Sequence, residues 1–142
     1  MTIQEIQDEI IDEFALFDNK EDRYGYIIEL GKKLAPYPEA YRTDDFLIKG
    51  CQSKVWIKPE IQNGNLVFYG DSDSTLVKGI VSLLLRVLSG QPAREIAAAD
   101  LYFIDRIGMR QMLSMNRSNG LAAMVKQLKL YALAYTSTDT PN

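Results

Sequence analysis

The chain has 142 residues, 46% hydrophobic and 25% charged, with a formal net charge of −3 and a pI near 5.0. This balance suits one soluble domain with its own core, and it lacks both the cationic excess of a nucleic-acid surface and an apolar run long enough to cross a bilayer. One cysteine and no histidine exclude an internal disulfide, a Cys/His metal or iron-sulfur site built by this chain alone, and the usual histidine-assisted nucleophiles.

The first residues, Met1-Thr2-Ile3-Gln4-Glu5-Ile6, lack the basic start and apolar stretch of a secretory signal and the arginines of a transit peptide, so a cytoplasmic location is expected. Ile3, Ile6, Ile10, Phe14 and Phe17 recur at helical spacing, with Glu5, Asp8, Glu9, Asp12 and Glu13 between them. The spacing predicts an amphipathic helix whose acidic face is either simply solvated or a docking patch for a basic partner. Asp18 or Asn19 is placed to cap a second helix carrying Tyr24, Ile27, Ile28, Leu30 and Leu34, which Ala35-Pro36-Tyr37-Pro38 ends. The two helices are expected to form an antiparallel hairpin.

Residues 36–45 read as irregular. From Lys54 the apolar Val55 and Ile57 alternate with Lys54, Trp56 and Lys58, the period of a half-buried strand, and Pro59 marks an edge, a bulge or the strand's end. Asn63-Gly64 predicts a tight hairpin into a second strand, Leu66-Val67-Phe68-Tyr69. Asp73 or Ser74 then caps a helix over 75–89 that is apolar on nearly every side and is the expected core, stopped by Gly90 and Pro92. A short alanine-rich helix over 93–100, a partly helical stretch over 101–113, a last helix from Asn116 or Ser118 to Tyr135 and a frayed tail over 136–142 complete the chain. The expected fold is α+β, a single domain over 1–142. Its small antiparallel sheet has two strands, or three if 46–49 joins, packed against several helices.

Asp71-x-Asp73-x-Thr75 has the start of a calcium loop but Leu76 where that loop needs glycine, so these acids read as caps. The chemistry therefore concentrates on Phe46-Leu47-Ile48-Lys49-Gly50-Cys51-Gln52-Ser53-Lys54-Val55-Trp56-Ile57, which holds the sole cysteine and the sole tryptophan. Gly50 places Cys51 on a bend, the polar Gln52-Ser53 pair suits partial exposure, and Lys49 and Lys54 are expected to favour a thiolate. A lone cysteine also has an inert reading, as a small hydrophobe. A single thiolate with no base of its own does one reaction well, exchange at a sulfur that bears a good leaving group. Lacking a second cysteine to resolve a disulfide, such a chain would take sulfur from one partner and hand it to another.

Four blocks carry a resemblance: Tyr26-Ile27-Ile28-Glu29-Leu30-Gly31; Ile48-Lys49-Gly50-Cys51-Gln52-Ser53-Lys54-Val55-Trp56; Gly70-Asp71-Ser72-Asp73 with Val77-Lys78-Gly79; and Ser118-Asn119-Gly120-Leu121. On these the chain resembles the SufE-type sulfur acceptors, cysteine desulfuration proteins, over most of its length. The resemblance implies an α+β fold similar to that of IscU-type scaffold proteins. It also implies a role in iron-sulfur cluster assembly in which Cys51 accepts persulfide sulfur from a cysteine desulfurase, of SufS type or a CsdA-type paralogue, stimulates it, and passes the sulfur to a SufBCD-type scaffold. The chain would then hold no permanent cofactor and no metal, only a covalent persulfide on Cys51; pyridoxal phosphate would belong to the desulfurase. Neither nucleic acid nor membrane is an expected partner. Gly50, Gln52 and Ser53 would shape the thiol loop, which is implied to shelter Cys51 against an apolar pocket until a partner draws it out. Asp73 and Arg117 would neighbour the loop or contact the partner, against the plainer readings of a helix cap and a surface charge. Two alternatives remain: an adaptor that binds a desulfurase without carrying sulfur, and a one-cysteine peroxide-reactive protein.

Overall fold

Three of the helices start at a short-range hydrogen bond from a capping side chain. In the computed structural model, which describes residues 1–138 with side chains through 136, α1 spans Ile3–Phe14. It starts at a capping box in which Thr2 and Glu5 satisfy each other's backbone N–H. Asn19 caps α2, Lys20–Gly31, by accepting the Asp22 N–H. Two 3-10 turns, Glu39–Tyr41 and Asp44–Phe46, occupy the stretch expected to be irregular.

The strands β1, Val55–Gln62, and β2, Asn65–Ser72, pair antiparallel from Val55 opposite Ser72 to Gln62 opposite Asn65. Asn63 and Gly64 turn between them with φ of 53° and 79°, the left-handed pair that such a two-residue hairpin requires. Pro59 stands inside β1 opposite Phe68 without ending it; the chain runs on because β1 pairs with β2 on one side only, so the missing N–H falls where no ladder partner needs it. A third strand from 46–49 does not form. Leu47 makes one isolated bridge to Trp56, after which Gly50, at φ 89°, turns the backbone out of extended conformation.

The core is α3, Thr75–Leu88, capped by Ser74 and followed by Gly90 at φ 85°. Ten of its fourteen residues are buried, each large aliphatic among them contributing about 1.5–3 kcal/mol as an upper figure. One flank of α3 receives β2, where Gly70 sits so close that a Cβ would fall 2.7 Å from a Val81 methyl. The other flank receives α2, whose backbone touches that of α3: a Cβ on Gly79 would lie 2.1 Å from the Ile27 carbonyl oxygen, and one on Gly31 would lie 2.7 Å from the Gly79 nitrogen. This glycine contact corrects the expected helical hairpin. Helix α2 lies along α3, and its Tyr26 ring meets Phe14 at the end of α1 and Phe17 in the turn after it, at 5.2 and 4.9 Å.

Short helices α4, Ala93–Ala98, α5, Phe103–Arg106, and α6, Met109–Met112, lead to α7, Met115–Thr138. The inner face of α7 closes the core with Leu121, Met124, Leu128 and Ala132, and Tyr131 donates to the Ile57 carbonyl at 3.2 Å. The tail expected to fray from 136 is helical through 138, with Thr136 bonded to the Ala132 carbonyl at 2.8 Å; 139–142 lie outside the described residues. The architecture is thus α+β, a two-stranded antiparallel sheet with seven helices among the described residues. Among them no helix is long and apolar enough to cross a membrane.

Candidate functional site

The thiol lies on a five-residue excursion, 49–53, whose two ends are tied down. At the entry, the Ile48 N–H donates to the Val55 carbonyl at 2.8 Å. At the exit, the Lys54 N–H donates to Asp73 Oδ1 at 3.0 Å, while the Lys54 carbonyl accepts from the Asp73 N–H at 3.2 Å and the Ser72 hydroxyl at 2.8 Å. Asp73 is therefore not the cap of α3; Ser74 takes that place, and the Asp73 carboxylate closes the base of the loop. Gly50 takes the left-handed φ of 89° that a side chain would resist, its Cα facing Ala123 of α7.

Cys51 is half-buried. Its thiol donates to the Gly120 carbonyl of α7 at 3.5 Å, so the loop rests directly on the helix. Cys51, Gln52 and Ser53 share a small cavity with Val77 and Ile80 of α3 and Asn116, Arg117, Gly120 and Met124 of α7. Gln52 is exposed and Ser53 partly so. Arg117 is partly buried and reaches across to Tyr24 of α2, donating to its hydroxyl at 3.4 Å; its backbone N–H is held by Ser114 at the start of α7. Of the residues singled out from sequence, Cys51, Gln52, Ser53 and Arg117 meet at the cavity, while Gly50 and Asp73 frame the loop. Gly120, Asn116 and Met124 were not singled out as site residues; the visible signals for Gly120 were its place in the block Ser118-Asn119-Gly120-Leu121 and a glycine inside a helical pattern, where it lowers helix stability.

Burial pushes the Cys51 thiol above its ordinary pKa. The expected thiolate stabilisation by Lys49 and Lys54 is absent, since both side chains are exposed and no cation offsets desolvation. The resting thiol is consequently protonated near neutral pH. The cavity beside it measures about 10 Å³ and has no carboxylate in its lining, far below the volume of a small-molecule site. Grooves of about 730 and 700 Å³ open on the two flanks of α7, but Cys51 lines neither. The cavity itself thus offers neither room for a small molecule nor a carboxylate base beside the thiol. Among the described residues no three His, Cys, Asp or Glu gather as metal ligands.

The acidic face of α1 is largely satisfied within the chain. Glu5 completes the capping box, Asp8 accepts from Tyr102 at 2.8 Å, and Glu9 and Glu13 both pair with Arg86, so four of the five carboxylates noted there have internal partners. Arg86 holds the Glu13 carboxyl below its ordinary pKa against the opposing effect of burial. The reading of this face as a docking patch is weakened accordingly.

Residues 8–132 match the family model described as SufE, Fe-S metabolism associated domain. An uncharacterized SufE-like protein of Rhizobium etli is 45% identical over 127 residues, 86% of each chain. A second, from Rhizobium meliloti, is 42% identical over 127 residues, 86% of this chain and 91% of its own. The solution structure of a hypothetical protein from Thermus thermophilus shares the fold, with a TM-score of 0.77 over 93% of this chain and 96% of its own at 18% identity.

Proposed function

The chain belongs to the SufE family of Fe-S metabolism associated domains, and from that membership we propose that it is a sulfur acceptor and carrier for iron-sulfur cluster assembly, with Cys51 as the group that reacts. The observation that carries this reading is the geometry of the thiol: one cysteine on a loop tied at both ends, half-buried and donating to the Gly120 carbonyl, beside a cavity too small for a substrate. A neutral, half-buried thiol reacts slowly with whatever diffuses past, which suits a carrier and is the opposite of what peroxide reactivity requires.

The partner is a pyridoxal-phosphate cysteine desulfurase that presents a persulfide, and pyridoxal phosphate stays with that enzyme. Movement of residues 49–53 brings Cys51 away from Gly120 and into water or the partner's site, where its pKa falls toward the ordinary value and the proton leaves. The thiolate then attacks the terminal sulfur of the donor persulfide. One S–S bond forms on Cys51, the donor's S–S bond breaks, and the donor cysteine departs as thiolate and takes up a proton. The sulfane sulfur has moved with no net oxidation. The same exchange with a thiol of the receiving scaffold returns Cys51 to its resting contact.

Gly50 supplies the bend, Gln52 and Ser53 form the exposed lip of the loop, Asp73 holds its base, and Arg117 contributes a cation at the cavity for the approaching partner. The test is the intact mass of the protein after incubation with a cysteine desulfurase and free cysteine. One added sulfur on the native chain, absent in Cys51→Ser and removed by reductant, is the expected result. Binding without any gain in mass would instead favour an adaptor that regulates the desulfurase.

A further inference from the structure

In the segment that leads into the thiol loop, one side chain, that of Arg42, reaches both strands of the sheet. Trp56 of β1 and Asp71 of β2 stand directly opposite each other, on the face turned away from the buried Val55, Ile57, Gly70 and Ser72. The Arg42 guanidinium settles on this pair. Its central carbon lies 4.9 Å from the centre of the Trp56 ring and 5.3 Å from that of Tyr37, and Nη1 is 2.9 Å from Asp71 Oδ2. The remaining donors, Nε and Nη2, engage Glu39 at 3.0 and 2.9 Å. The contact is sheltered: the side chains of Arg42 and Asp71 are 28% and 17% exposed. Burial works against the Asp71 carboxylate, yet the Arg42 bond, the Ser72 N–H and Lys78 outweigh it and hold its pKa below the ordinary value.

Further contacts accompany it along the stem. Tyr37 is buried and donates to the Tyr41 carbonyl at 2.9 Å, and Tyr41 packs edge-on against Phe46 at 5.5 Å with the Lys58 ammonium 4.4 Å from its ring centre. Residues 37–46 thus cover one end of the outer sheet face and deliver Leu47 to its bridge with Trp56. Trp56 is then at once the stacking partner of Arg42 and the backbone partner of the last residue but one before the excursion.

We propose that Arg42 is a positioning residue for Cys51: by clasping Tyr37, Trp56 and Asp71 it keeps residues 37–48 on the sheet and confines the swing that exposes the thiol to residues 49–53. A flap of five residues on a fixed base presents Cys51 at one place and in few orientations. Without the clasp the stem joins the mobile segment. The entropic cost of returning a longer loop grows only slowly with its length, but the thiol samples many more orientations, and few of them are aligned for in-line attack on a partner's sulfur. Small reagents then find the thiol more often while the partner finds it less often in a productive pose. The transfer half of this inference rests on the sulfur-acceptor reading; the exposure half does not.

The experiment measures two rates for Arg42→Gln and Arg42→Lys: alkylation of Cys51 by iodoacetamide in the isolated protein, and sulfur acceptance from a desulfurase followed by intact mass. Loss of the stacked, partly buried cation is expected to speed alkylation by about tenfold in the glutamine variant and to slow acceptance. The lysine variant, which keeps the charge but neither the planar stacking nor the forked bonds, is expected to fall between. Lys32→Gln removes a cation from an exposed pair with Glu29 and is expected to change neither rate. Opposite movement of the two rates is a signature that general loosening of the fold does not produce. Unchanged alkylation in both Arg42 variants, or acceptance rising together with alkylation, overturns the proposal. Should the glutamine variant fail to fold, the lysine variant decides by the same criteria. If the native chain accepts no sulfur, the acceptor reading fails and the alkylation rates still decide whether the clasp exists.

Discussion

Replacing Gly120 with alanine separates what the resting site needs from what the helix would prefer. Gly120 is the sixth residue of the 24-residue α7, inside the helix, where glycine costs about 0.5–1 kcal/mol relative to alanine. A Cβ placed there would meet Cys51 Sγ, Cα and Cβ at 3.6, 3.7 and 3.8 Å, all ordinary contact distances, so no steric penalty opposes the gain in helix propensity. The carbonyl that accepts the thiol proton is backbone and is retained. Gly120→Ala is therefore expected to stabilise the chain by about 0.5–1 kcal/mol, raising the melting temperature by about 2–4 °C. The added methyl also gives the resting thiol a new dispersion partner and narrows the cavity of about 10 Å³, so iodoacetamide is expected to alkylate Cys51 more slowly, by about twofold. Calorimetry and alkylation kinetics on the two proteins suffice. A lower melting temperature would refute the reasoning, because it would mean that the loop cannot rest on a side chain at this position.

Three further outcomes follow from other parts of the molecule. Gly79→Ala drives a Cβ to within 2.1 Å of the Ile27 carbonyl, a backbone contact that only separation of α2 from α3 can relieve. It is expected to cost about 3 kcal/mol or more in urea denaturation despite the better helix propensity. Gln7 is fully buried, with Nε2 on the Asp100 carbonyl at 3.1 Å and Oε1 on the Phe103 N–H at 3.1 Å. Gln7→Leu orphans both backbone groups and is expected to cost about 2–3 kcal/mol, whereas a loss below about 0.5 kcal/mol would show that water reaches them. The alkylation rate of Cys51 should rise with pH through a midpoint above that of the same thiol in urea, because burial raises the folded pKa. Folding holds this proton more tightly, so the thiol's contribution to stability is fully present below the unfolded pKa and is lost as pH rises through the folded one. Stability that increased over that alkaline window in the native chain, and not in Cys51→Ser, would contradict this sign.

What depends on near neighbours was legible in the residues alone. Side-chain spacing over two or three turns sets the helices. Asn19 and Ser74 cap because their side-chain oxygens reach backbone N–H groups three residues on. Asn63-Gly64 makes the hairpin because those residues tolerate positive φ. The candidate thiol was equally legible, since a chain with one cysteine and no histidine offers one residue for a nucleophile of this kind, and Gly50 before it marks a bend that the backbone indeed makes, at φ 89°.

How that thiol behaves depends on contacts between distant parts of the chain. Lys49 and Lys54 lie close to Cys51 in sequence yet leave its pKa to desolvation, because what removes water from the thiol comes from α3 and α7, dozens of residues away. The Gly120 carbonyl that receives its proton is 69 residues along the chain. Asp73 was legible as a cap alongside Ser74, or by resemblance as a neighbour of the loop, but its bond to Lys54 was not, since only two strands pairing in register bring residues 19 apart into contact. Arg42 gave no signal at all, because its stacking on Trp56 and its pairing with Asp71 exist only once the hairpin places those two residues opposite each other. Local conformational preference is a property of a few consecutive residues, whereas burial and charge pairing belong to whichever surfaces the fold presses together, and that is where the reactivity of Cys51 is set.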